Sequence, residues 1–148
     1  MTRNTETKDG FTAEERAAMK ERAAELRAAQ RRGNKRAAEA QDCLDKIAAL
    51  PEADRLIAER IHAIVTENAP ALDARTWYGM PAYARDGAVV CFFQPASKFE
   101  SRYGTFGFND TALLDDGNVW ATGFAVAALS AEDEAFLAAL VRRAVADG

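Results

Sequence analysis

The sequence has few residues that bind transition metals or act as nucleophiles. Its 148 residues include two cysteines and one histidine. Cys43 and Cys91 are far apart and form no CxxC pair, which argues against a structural zinc site. The chain has no HExxH motif and no glycine-rich phosphate loop. No nucleophile lies near His62 in the sequence, so we assign it to the edge of the core and expect a non-catalytic protein without a cofactor.

Long apolar runs and an excess of positive charge are also absent. The first ten residues, MTRNTETKDG, lack the apolar centre of a signal peptide, and no stretch approaches the roughly 18 apolar residues of a membrane span. A formal net charge of −4 argues against a general nucleic-acid binder, which concentrates lysine and arginine on one face. We expect a cytoplasmic protein with reduced thiols that binds neither membranes nor nucleic acid.

The N-terminal part of the chain is predicted to be a helical extension over residues 11–50. Residues 1–10 are polar, and we predict that they are disordered. Thr12 followed by Glu15 is a capping-box pattern, which predicts that a helix begins there. The stretch RRGNK at 31–35 is predicted to end this helix, and a second helix is expected from about residue 36 to residue 50.

The first helix of this extension has only a narrow apolar stripe. Phe11, Met19 and Leu26 are its only large apolar residues. The spacing leaves three arrangements open: a partly detached helix, a helix lying across the domain on its alanine face, or a pair formed with a second copy of the chain in a coiled coil. A homodimer is therefore one of the partner arrangements that the sequence leaves open.

Residues 51–148 are predicted to form the folded domain. Pro51 suits the first turn of a helix, and isoleucine and valine then recur at helical spacing to about Asn68. Beyond this helix the apolar period changes from 3.6 to 2, and β-forming residues appear. Strands are predicted at 75–79, 82–85, 88–94, 102–108 and 119–125.

Four local patterns support this assignment of helices and strands. Asp86-Gly87 between apolar runs indicates a hairpin. Residues 89–93 are all apolar, so both faces of that strand should be covered, one of them by helices. Gly104 and Gly107 mark a bend, a bulge or a close approach of another group. Ser130 with an acid three residues later predicts the start of an amphipathic last helix. We therefore predict an α+β fold of two layers, in which an antiparallel sheet of about five strands packs against helices.

The chain resembles the YdhG-like family of bacterial domains in one stretch and in the order of the elements around it. The stretch is TWYGMPAY, followed by a hairpin, GAVVCFF, a segment with Lys98 and an amphipathic helix. The resemblance covers about residues 52–146, and Tyr-Gly-Met-Pro at 78–81 is its most specific element. It implies a two-layer α/β fold with an antiparallel sheet. Many members of the family carry a histidine where this chain has Ser101 and Arg102, so the resemblance does not extend to chemistry that uses this histidine.

The stretch that carries the resemblance is also the main candidate for a ligand site. Its large side chains are of the types that line small-molecule clefts, in which tyrosine hydroxyls act as polar groups. The alternative is an ordinary core beside a sharp turn at Gly79 and Pro81. The side chains concerned are Trp77, Tyr78, Met80 and Tyr83.

Three cationic residues near this stretch suit an anionic ligand if the strands bring them together, since arginine and lysine bind carboxylate and phosphate. They are Arg75, Lys98 and Arg102. The alternative is that they are solvated strand ends. We therefore expect the protein to bind a small molecule or an anion near the Tyr-Gly-Met-Pro turn.

Two other functions remain open. One member of the resembling family is described as a frataxin-like intracellular iron chaperone, and the resemblance implies that iron is a candidate cargo. Hard iron ions favour oxygen ligands, and the exposed carboxylates on offer are Asp110, Asp115, Asp116, Glu132, Asp133 and Glu134. Turns and helix N-termini also explain these acids. The other alternative is a non-catalytic interaction module that meets a partner through its sheet or its N-terminal helix.

Overall fold

The computed structural model describes residues 12–146, and it confirms the predicted α+β fold. Five antiparallel strands form one sheet in the order β1-β2-β3-β4-β5. The strands are β1 Asp73–Trp77, β2 Met80–Arg85, β3 Ala88–Gln94, β4 Gly104–Phe108 and β5 Gly123–Val126. The helices are α1 Ala13–Ala48, α2 Glu52–Asn68 and α3 Ala131–Val145, and Ala96–Phe99 form a 3₁₀ turn.

Helix α1 is continuous through Gly33, so the predicted break at 31–35 is wrong. Its start is as predicted: the Thr12 hydroxyl accepts a hydrogen bond from the Glu15 N–H at 3.0 Å, and the Glu15 carboxylate accepts one from the Thr12 N–H at 2.9 Å. An isolated glycine costs a helix only about 1 kcal/mol relative to alanine, and the alanine, arginine and lysine around it are strong helix formers. Gly33 is also not among the glycines with positive φ. The predicted disorder of residues 1–10 and the position of Phe11 lie outside the described residues.

The chain divides into two compact units between Ala37 and Ala38. Among the described residues of the first unit, 13–37 belong to α1, and no described residue of this unit is buried. In the second unit the last turns of α1 contribute the buried residues Cys43 and Ile47 to the core. The predicted extension, 11–50, therefore spans the division. None of the helices within residues 12–146 combines the length and the apolar character needed to cross a membrane.

The main core lies between one face of the sheet and the helices of the second unit. Strands β2, β3 and β4 contribute large buried side chains because alternate residues of a strand point to the same face. The core includes Tyr83, Cys91, Phe93, Phe106 and Phe108 from the sheet, and Ile61, Val65, Leu137 and Val141 from the helices. Cys91, in the strand predicted to be covered on both faces, is a buried free thiol, and Cys43 is also free and buried.

The hairpin between β2 and β3 confirms the prediction from Asp86-Gly87. Asp86 and Gly87 have φ of 52° and 82°, and positive φ at both central residues is the mark of the type I′ turn that suits hairpins. The register changes between Tyr83 and Ala84. As a result, Val90 and Cys91 both belong to the main core although they are neighbours in the strand.

The opposite face of the sheet has a smaller apolar cluster of its own. Ala82, Ala84 and Val89 are buried there, with Trp77 and Phe92 partly buried against them. All five residues belong to strands, so this cluster contains no helix residue. The two aromatic rings, rather than a second helical layer, cover this part of β3. The centroids of the Trp77 and Phe92 rings lie 5.2 Å apart.

The predicted strands differ from the observed ones mainly at their ends. β4 begins at Gly104 rather than 102, and β5 begins at Gly123 rather than 119. The last helix begins as predicted, because the Ser130 hydroxyl accepts a hydrogen bond from the Asp133 N–H and the Asp133 carboxylate accepts one from the Ser130 N–H. The hydrogen bond from the Ser130 N–H to the carboxylate, together with the Ser130 side chain, lowers the pKa of Asp133.

Gly104 is required by a close approach, which was one of the alternatives predicted for it. A β-carbon at this position would lie 2.8 Å from Cε1 of Phe93, whose side chain is fully buried. We expect Gly104→Ala to lower the free energy of unfolding by about 1–3 kcal/mol. Gly123→Ala is the matched control, since nothing lies within 4 Å of that position. Equal urea midpoints for the two variants would contradict this account.

Candidate functional site

The Tyr-Gly-Met-Pro stretch forms the tight turn between β1 and β2. Trp77 pairs with Met80, so Tyr78 and Gly79 are the two central residues of the turn. Their φ values are 49° and 76°, which again defines a type I′ turn. Glycine adopts this conformation readily, whereas tyrosine rarely does. The Met80-Pro81 peptide bond is trans.

The turn separates the four predicted aromatic and apolar site residues into two groups. Tyr83 is 0% exposed and Met80 is 6% exposed. Trp77 is half-buried and Tyr78 is 78% exposed. The Trp77 and Tyr78 ring centroids lie 4.9 Å apart, edge to face. Of the four side chains, only the rings of Trp77 and Tyr78 offer surface to a ligand.

Tyr83 is held in the core by polar groups of two helices. Its hydroxyl lies 2.9 Å from Nδ1 of His62 on α2, and the thiol of Cys43 on α1 lies beside it. Burial raises the pKa of Tyr83 well above its ordinary value. Burial also raises the pKa of Cys43 to about 11 and that of Cys91 to about 12. At neutral pH these groups therefore remain protonated and unreactive.

Removing the buried hydroxyl should be costly. We expect Tyr83→Phe to lower the free energy of unfolding by about 1–3 kcal/mol, because His62 loses its hydrogen-bond partner in the core. Tyr78→Phe is the matched control and should change stability by less than about 0.5 kcal/mol, since its side chain is exposed. Urea denaturation measures both. A Tyr83→Phe variant as stable as the wild type would show that this hydrogen bond contributes nothing.

Two lysine ammonium groups converge on the turn from different elements. A β-carbon at Gly79 would lie 3.0 Å from Nζ of Lys98 and 3.9 Å from Nζ of Lys46. Lys46 belongs to the last turn of α1, and Lys98 belongs to the 3₁₀ turn. Because glycine has no side chain, the turn leaves room for both ammonium groups beside its backbone.

The other two predicted cations have partners of their own. Arg75 lies 3.9 Å from a carboxylate oxygen of Glu39. The Arg102 guanidinium lies over the ring of Tyr103, 5.2 Å from its centroid. Of the three predicted cations, only Lys98 is shown next to the turn. Lys46 was missed, because the sequence gives no sign that the end of α1 meets the β1–β2 turn.

A buried carboxylate fixes the segment that carries Lys98. Asp54, in the first turn of α2, is 7% exposed, and its Oδ2 accepts a hydrogen bond from the Ser97 N–H at 3.2 Å. Glu100 ends the 3₁₀ turn with a φ of 53°. The backbone beside Lys98 is therefore held at both ends, which limits the positions that its ammonium group can reach.

The corner formed by Tyr78, Gly79, Lys46 and Lys98 is positively charged. Neither lysine is in any of the salt bridges found within residues 12–146. Two ammonium groups near one point repel each other, and an anion placed between them removes this repulsion and accepts charge-assisted hydrogen bonds. The corner thus combines an anion-binding group with an exposed aromatic ring.

The carboxylates considered for iron are dispersed over the second unit. Asp110 and Asp115 line a cleft of about 530 Å³ near the loop between β4 and β5, together with Trp120. Asp133 caps α3, and Glu134 pairs with Arg60 at 2.7 Å. Across residues 12–146 no group of three or more histidine, cysteine, aspartate or glutamate side chains is arranged to hold a metal ion. Iron binding stays a prediction from the resemblance.

The conformation of Tyr78 gives a test of its role. A non-glycine residue with positive φ is strained, and asparagine tolerates this conformation better than tyrosine. We expect Tyr78→Asn to raise the free energy of unfolding by about 0.5–1 kcal/mol, because asparagine adopts this conformation with less strain. Thermal unfolding measures the change. A clear loss of stability would mean that the tyrosine ring is needed for folding.

Comparison of the chain with protein-family models, with curated proteins and with solved structures found no match. The resemblance to the YdhG-like family therefore rests on the Tyr-Gly-Met-Pro stretch and its neighbouring elements, and it stays a prediction.

Proposed function

We propose that the protein is a small-ligand-binding domain that holds an organic anion at the corner of Tyr78, Gly79, Lys46 and Lys98. The observation that carries the proposal is the convergence of two lysine ammonium groups on Gly79, with no carboxylate paired to either among the described residues. A carboxylate or phosphate group would accept hydrogen bonds from both. Cytoplasmic location is part of the proposal, and the two free, buried thiols support it.

The ligand is expected to have an apolar or aromatic part next to its anionic group. Tyr78 is 78% exposed and immediately precedes Gly79, so its ring is available for stacking beside the anion. The ring of Trp77 packs edge to face against the ring of Tyr78. Aromatic stacking contributes about 0.5–1.5 kcal/mol beyond the burial of area. An aryl phosphate therefore suits the corner better than inorganic phosphate does.

Isothermal titration calorimetry with phenyl phosphate and with inorganic phosphate tests the proposal. We expect phenyl phosphate to bind more tightly, because only it contacts both the ammonium groups and the tyrosine ring. The double variant Lys46→Gln, Lys98→Gln should lose at least about tenfold in affinity, since each charge-assisted hydrogen bond contributes about 1.5–3 kcal/mol.

The matched control is Arg16→Gln, Lys20→Gln, which removes the same charge from exposed positions of α1. It should bind phenyl phosphate as the wild type does. Binding that both double variants lose equally would reflect general attraction to positive charge and would overturn the proposed site. Absence of heat beyond dilution for both probes would overturn it as well.

A further inference from the structure

Ten consecutive residues of α1 carry a concentrated positive charge that the proposed ligand site does not use. This stretch, here called the basic segment, is residues 27–36, with the sequence RAAQRRGNKR. It contains five cations and no acid, and each of the five is exposed. They are Arg27, Arg31, Arg32, Lys35 and Arg36.

The continuity of α1 through Gly33 arranges these cations on one side of the helix. A break at 31–35 would have placed some of these cations in an irregular turn. In a continuous helix each residue is rotated by about 100° from the one before it, so the directions of the five side chains around the axis are fixed. Residues four apart are neighbours on the surface: Arg27, Arg31 and Lys35 follow one line, and Arg32 and Arg36 follow the next. Together the two lines cover about half the circumference over about 15 Å of helix.

The acids that flank the basic segment do not neutralise it. Glu25 pairs with Arg22 at 3.3 Å, and Glu39 lies 3.9 Å from Arg75. No cation of the segment is in a salt bridge within the part of the chain that the structure describes. The positive charge of the segment is therefore available to a partner.

We propose that the basic segment binds duplex nucleic acid through its phosphate backbone. A duplex carries one negative charge per about 1.7 Å of its axis, and its major groove is wide enough to admit an α-helix. Lysine and arginine spaced along one side of an exposed helix match this chemistry, and neutralising phosphates releases counterions. The proposal does not rest on the ligand site at Tyr78.

The net charge of −4 argues against binding over the whole surface, but it does not describe this segment. All 23 acidic residues lie outside the segment, so the net charge of −4 combines +5 from the segment with −9 from the rest of the chain. An anionic membrane is less suited as a partner. A helix that binds membranes needs a large apolar face, and the side opposite the cations offers Leu26, Gly33 and Ala37.

Fluorescence anisotropy of a labelled duplex DNA of mixed sequence, titrated with the full chain, tests the proposal. The titration is repeated at salt concentrations between about 50 and 200 mM. At physiological salt we expect a dissociation constant typical of non-specific binding, about 10⁻⁴ to 10⁻⁶ M. The triple variant Arg31→Gln, Arg32→Gln, Arg36→Gln should bind at least about tenfold more weakly. Its slope of log K against log salt should be shallower by about two to three units, since each phosphate contact contributes about 0.9.

The matched control is Arg16→Gln, Lys20→Gln, Arg22→Gln, which removes the same charge from the same helix where glutamates alternate with the cations. It should keep the affinity and the salt slope of the wild type, and circular dichroism should show equal helix content for both variants. Equal losses in the two triple variants, or no anisotropy change at about 50 mM salt, would overturn the proposal. Tighter binding to phosphatidylserine vesicles than to DNA would overturn it in favour of a membrane.

Discussion

The ring of Tyr83 lies at the contact between the sheet and two helices, and much of the candidate site depends on this contact. Its hydroxyl lies 2.9 Å from Nδ1 of His62 on α2, and Cys43 on α1 lies beside it. A buried hydroxyl without a partner costs about 1–3 kcal/mol, so the helices must keep their positions relative to β2. The last turn of α1 is fixed in this way, and Lys46 lies in that turn, one turn after Cys43.

A second constraint acts on the other lysine. Asp54 is almost fully buried and accepts a hydrogen bond from the Ser97 backbone, which holds the 3₁₀ turn of Lys98 against the start of α2. The two ammonium groups therefore approach Gly79 from elements that the core positions independently. When the backbone that carries the binding groups is already fixed, a ligand loses less free energy to ordering these groups, which favours affinity.

The sequence was sufficient to predict the elements that depend on local patterns. The Asp86-Gly87 hairpin, the capping boxes at Thr12 and Ser130, and an antiparallel sheet of five strands were all predicted correctly. The break at Gly33 was predicted wrongly, because an isolated glycine weakens a helix without ending it. The resulting continuity of α1 gives the basic segment its regular arrangement of cations.

The candidate site was only partly predictable, because it depends on tertiary contacts. The TWYGMPAY stretch drew attention to the β1–β2 turn, but its residue pattern did not distinguish the buried Tyr83 from the exposed Tyr78. Tyr78 is exposed because it is a central residue of the type I′ turn and lies outside the sheet. Lys46 was missed for the same reason, since it reaches the turn across the fold and is distant in sequence from Gly79.

The central claim is that the corner at Gly79 binds organic anions. Its most direct test is a titration of the ¹⁵N-labelled protein with phenyl phosphate, followed through the amide chemical shifts. The account predicts saturable shifts for Tyr78 and Gly79 and for the segment from Ser97 to Phe99, with the amides near Asp110 and Asp115 unchanged. Shifts confined to the cleft between β4 and β5, or an absence of saturable shifts at the turn, would contradict it.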